Sequence, residues 1–161
     1  RPVLANDVVQ RIMYDNLEST GGFAYSRKEQ EFAESIYSTL TKPDLEISSA
    51  NEIQPYAFKR GKGSTDVGDV SWMVPTAGLR TATWVPGTSA HSWQAVAAGG
   101  MSIGMKGMMI AAKTIAGAAV ELYNDPEAII SAKQELIERR GPKFNYYSML
   151  GDRKPPLDYR K

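Results

Sequence analysis

Apolar side chains recur at Val8, Val9, Ile12, Met13 and Leu17, the three-and-four spacing of a single helix face. Asn6 or Asp7 stands where an N-cap belongs, and Ser19-Thr20-Gly21-Gly22 ends the run, so a helix is predicted over 6–18. Ser26 and Glu29 have capping-box spacing ahead of Phe32, Ala33, Ile36, Tyr37 and Leu40, which predicts a second helix over 26–40. The chain is then polar and loop-like as far as Gly61. A glycine- and hydroxyl-rich loop, "GKGSTDVGDVSWMVPT", occupies 61–76.

The stretch "LRTATWVP" alternates and is rich in β-branched and aromatic residues, so a strand is predicted over 79–86. "GTSAHSWQAVAAGG" passes from loop into helix, and 101–123 predicts a long, mostly buried helix. Lys106 and Lys113 interrupt its apolar length, which argues against a membrane span. Gly100, Gly104 and Gly107 lie near one face and mark a close approach of another element. Asp125 and Pro126 open a last helix with Ile129, Ile130, Leu136 and Ile137 as its stripe, and Gly141-Pro142 closes it. The tail, with Pro155-Pro156, is expected to be an extended arm. Helices with two or three strand candidates imply an α/β fold, with helices packed on a partial sheet.

Composition bounds the classes. A chain of 161 residues with 42% hydrophobic and 23% charged residues buries a real core and is not disordered. A net charge of +1 provides no general attraction to nucleic acid or an anionic membrane, so neither is expected as a partner. With no cysteine there are no disulfides, thiolate metal sites or cysteine nucleophiles, which suits a cytoplasmic location. The chain opens on Arg-Pro rather than methionine and is expected to be a piece of a longer polypeptide.

Little is present from which to build a site. A phosphate loop is excluded, because Lys62 is followed by Gly63 rather than by Ser or Thr. A serine triad on His91 would draw on Ser64, Ser89 or Ser92, but no G-x-S-x-G elbow is present. His91, the single histidine, suits a metal ligand, with an aspartate as oxygen ligand or orienting group. The competing reading makes His91 the cap of the helix that starts near Ser92. Asp66 and Asp69 are equally natural turn formers. The Gly63–Gly68 run exposes successive N–H groups, either as an anion nest or as an ordinary loop.

"GSTDVGDVSWMVPT" followed by "VPGTSAHSWQAVAAGGMSIGMKGMMIAAKTIA" resembles the C-terminal part of the dinuclear-metal amidohydrolases and carboxypeptidases, the family of aminoacylase, carboxypeptidase G and the desuccinylases. The closing "NYYSMLGDRKPPLDY" shares in it. The resemblance implies that His91 is the last metal ligand. It also implies that Gly63, Ser64, Thr65 and Asp66, with Asp69, line the pocket and hold the substrate's carboxylate side. It implies two divalent ions, zinc or manganese, per intact site, and hydrolysis of N-acyl or N-aroyl amino acids such as aminobenzoyl-glutamate. The other ligands, the general base and a dimerisation domain would then lie outside 1–161, in the remainder of the same polypeptide. A homo- or hetero-oligomer is expected. The alternative is a non-catalytic binding or assembly module that keeps the pocket loop.

Overall fold

The computed structural model describes residues 1–61, 63 and 65–158. Among the described residues six α-helices follow one another: α1 (Asp7–Thr20), α2 (Arg27–Tyr37), α3 (Val67–Ser71), α4 (Trp93–Gly99), α5 (Ser102–Asn124) and α6 (Pro126–Arg140). A 3-10 turn, Ile47–Asn51, lies between α2 and α3. No strand is present among the described residues, so the expected α/β fold with its partial sheet is corrected to an all-helical one.

The helix-start signals are local and form as written, although α2 ends at Tyr37, short of the predicted Leu40. Asn6 caps α1, its Oδ1 accepting from Val9 N–H. Ser26 and Glu29 close a reciprocal capping box on α2. Asp125 caps α6 by accepting from the N–H groups of Glu127 and Ala128, Pro126 fills the first turn, and Gly141 stops the helix at φ +85°.

The strand predicted over 79–86 fails for want of a partner, since alternation specifies a face but not a neighbour to bond. The segment instead lies as irregular chain across the start of α5. A Cβ on Gly107 would come within 2.6 Å of the Ala82 carbonyl oxygen, and one on Gly104 would strike the Gly99 carbonyl. Both glycines are therefore close-approach positions, as expected, whereas Gly100 stands in looser surroundings. Val85 enters a core with Ala33, Ile36, Ala98 and Ile103, against which Tyr25, Phe32 and Ile47 pack.

α5 runs through the middle of the molecule and touches α1, α4 and α6. Its inner face buries Ile103, Gly104, Gly107, Thr114 and Ala118, and α1 and α6 contribute Ile12, Ala132 and Leu136. The expectation of a mostly buried helix is only half met. Met101, Met105, Met108, Met109, Ile115 and Val120 remain about half exposed or more. The stripe predicted on α6 is likewise incomplete, with Leu136 buried but Ile129, Ile130 and Ile137 exposed.

Two polar clasps fix the helices. The Glu135 carboxylate accepts from Asp7 and Val8 N–H at the N-terminus of α1, where the helix dipole favours an anion, and pairs with Arg139 at 2.7 Å. Glu29, 8% exposed, accepts from Ser102 Oγ at 2.6 Å and from Lys106 Nζ at 2.5 Å, joining α2 to the start of α5. Lys106 also donates to the Ala24 carbonyl at 3.0 Å. The ammonium, then the serine hydroxyl, hold the Glu29 carboxyl down at about 2.

Candidate functional site

His91 belongs to the turn that enters α4. Ser92 is the cap there, its Oγ accepting from Ala95 N–H at 3.2 Å and donating to the Ser89 carbonyl at 2.7 Å. The capping role open to His91 therefore falls to Ser92, and the same bonds occupy the Ser92 hydroxyl, one of the three that a serine triad could draw on. Relieved of capping, His91 sits at φ +60°, left-handed backbone that histidine adopts more often than most side chains. That conformation costs about 1–3 kcal/mol for a residue with a Cβ and concentrates at functional positions.

The imidazole is exposed, and it makes no hydrogen bond or ion pair among the described residues. His91 and Ser92 border an open hollow of about 500 Å³ whose other walls are Trp84, Trp93, Ala95 and Val96. Trp93 is 61% exposed and Val96 78%. The hollow thus offers one polar ring beside an apolar, aromatic surface. Neither tryptophan is a site candidate from sequence. Trp84 reads as a strand residue, and the sole signal for Trp93 is its place one residue beyond the histidine's neighbour.

The other candidates lie on the 61–76 loop. Gly63 has open space around it, and Thr65 Oγ1 accepts from Val67 N–H at 3.2 Å. Asp66 occupies the N-cap position of the five-residue α3 without a side-chain bond. Ser64 lies outside the described residues. Asp69 is paired with Arg1 at 3.0 Å, and the Arg1 guanidinium stands 5.1–5.7 Å from the ring centres of Phe144, Tyr146 and Tyr147. Phe144 in turn packs on Trp72, whose Nε1 donates to the Pro2 carbonyl. The first part of the expected extended arm thus lies beside Arg1, and both it and the Arg1-Pro2 segment are tied to α3 and Trp72.

Among the described residues, no hydrogen bond or ion pair joins this loop to His91. Nor do any three His, Asp or Glu side chains there cluster closely enough to hold a metal ion. A catalytic zinc takes three protein ligands and a water, so the donor set of the described residues does not fit a metal by itself.

No protein-family model matches the chain, and no solved structure matches it. Among curated proteins it is similar to the B subunit of p-aminobenzoyl-glutamate hydrolase from Escherichia coli (strain K12), with 34% identity over 157 aligned residues covering 82% of this chain. The chain spans about a third of that relative's length.

Proposed function

We propose that this chain is the C-terminal portion of the catalytic part of a longer, metal-dependent amidohydrolase acting on N-acyl or N-aroyl amino acids of the aminobenzoyl-glutamate kind. The observation that carries the reading is the 34% identity to a hydrolase component named for that substrate, over 82% of the chain.

In this reading His91 presents one ligand to a divalent ion, zinc or manganese, of a two-metal site. Its left-handed backbone and exposed ring support the role, since a structural histidine would gain nothing from that strain. The general base and remaining ligands come from further residues of the polypeptide, so no bond-making step is assigned to 1–161. What the chain supplies is position and surroundings. Ser92 fixes the turn that holds the imidazole outward, while Trp84 and Trp93 provide an aromatic wall suited to a planar aroyl group. Gly63, Ser64, Thr65, Asp66 and Asp69 form the carboxylate-facing loop. The relative is named as one component of an assembly, and the reading gives this protein an assembly partner too, in the cytoplasm.

The test is His91→Ala in the natural polypeptide, with bound metal and release of p-aminobenzoate both measured. Loss of both with an unchanged helical circular-dichroism spectrum is expected. Retention of both would remove the metal role.

A further inference from the structure

The outer face of α5 carries a second seam unrelated to the core it packs on. Met105, Met109, Ala112, Ala116, Ala119 and Tyr123 follow one another at intervals of four, three, four, three and four residues. That spacing keeps six side chains on one line along a helix. All six are exposed, Met105 at 51%, Met109 at 49% and Tyr123 at 88%. Lys113 flanks the line, four residues after Met109 and three before Ala116, while the alanines at its centre let a second surface approach closely.

Size says what kind of occupant fits. A helix of 23 residues is about 34 Å long and about 10 Å wide, which makes the strip roughly 350 Å². A stable complex between free chains buries about 800 Å² on each partner, more than twice that area. A covalently linked cover needs less, because the chain itself holds it at high effective concentration. A lipid environment suits the helix poorly. Although α5 is long and apolar enough to cross a membrane, its other side is packed on α1 and α6 and carries the Lys106–Glu29 ion pair. The hydrolase relative, 34% identical to this chain, is about three times the length of the matched part.

We propose that this face of α5 is an internal packing surface, covered in the native protein by an uncharged apolar layer from further residues of the same polypeptide. The proposal rests on the reading that the chain is a portion of a longer hydrolase. It adds which surface joins the portion to the rest.

The test uses the natural polypeptide, purified natively, with its intact mass read first. It is then treated with hydrogen peroxide for graded times, and sulfoxide is counted peptide by peptide. Met73 and Met149, which are 47% and 74% exposed, serve as internal references outside α5. The expected result is a mass well above 17.7 kDa, with Met105 and Met109 oxidising at least about tenfold more slowly than both references. Equal oxidation, or a native mass of 17.7 kDa, overturns the proposal. Protection that disappears on dilution assigns the face to a second copy instead, and a need for detergent assigns it to lipid. Hydrolysis and metal content are measured on the same sample. Protection without either leaves the packing surface standing and removes the functional reading, while activity without protection does the reverse.

Discussion

Lys106 Nζ lies 2.5 Å from Glu29 Oε2, and this pair, on α5 and α2, anchors the long helix to the core beside it. Both residues read differently in the sequence, Glu29 as half of a capping box and Lys106 as an interruption of an apolar helix. The carboxylate does both jobs, capping Ser26 N–H at 2.6 Å and accepting from the lysine.

The pair makes stability depend on acid. Glu29 has a folded pKa of about 2 against an ordinary 4.5, so the folded state favours the charged form. Its contribution is complete above about pH 4.5 and is lost as pH falls toward 2. Melting temperatures between pH 6 and 2 should fall less steeply for Glu29→Gln than for the wild type, and the substitution should cost about 1–3 kcal/mol at neutral pH. Parallel curves would remove the pair from the account.

Asn6 is 2% exposed and uses both ends of its amide, accepting from Val9 N–H and donating to the Ala132 carbonyl at 2.8 Å. Asn6→Ala removes the cap of α1 and the bond that ties it to the Ala132 carbonyl, which keeps its own partner within α6. A loss of about 1–3 kcal/mol is expected in urea unfolding. Asn6→Asp keeps the cap alone and should fall between the two.

Gly107→Ala should destabilise by about 1–3 kcal/mol, because the added methyl meets backbone at Ala82 rather than a movable side chain. Gly78→Ala, with nothing within 4 Å, should stay within about 0.5 kcal/mol of wild type. Equal effects at the two positions would mean that the 79–86 segment does not lie against α5.

At φ +60°, His91 holds a backbone conformation that glycine adopts more easily. His91→Gly should stabilise the fold by up to about 1 kcal/mol in thermal unfolding, and His91→Val should destabilise it by a similar amount. Destabilisation by glycine would show that the ring makes contacts that hold the turn.

The elements legible in the sequence are those whose signals act within one turn. Asn6, Ser26 with Glu29, and Asp125-Pro126 with Gly141 each satisfy a helix end from nearby residues, and each stands where its signal puts it. The 79–86 segment is not legible, because its alternation is equally compatible with a ladder or with a single pass over Gly107. Val85 entering the core and Trp84 facing outward satisfy the same pattern without a sheet. The burial of α5 falls short for a related reason, since apolar length does not say how much of a helix its neighbours cover, and α1, α4 and α6 leave Met105, Met109 and Val120 exposed. For the site, the turn before Ser92 is legible and the Trp84–Trp93 wall is not, because it depends on how the 79–86 segment folds against the start of α4. The Arg1–Asp69 pair, spanning 68 positions, leaves no local trace.

The measurement that bears most directly on the central claim is metal content and p-aminobenzoyl-glutamate hydrolysis on the natural polypeptide and its His91→Ala variant, side by side. The account predicts about two ions per wild-type chain, fewer in the variant, and at least about a 100-fold loss of hydrolysis with the helical spectrum unchanged. A variant that binds the same metal and hydrolyses the same substrate at the wild-type rate would contradict it.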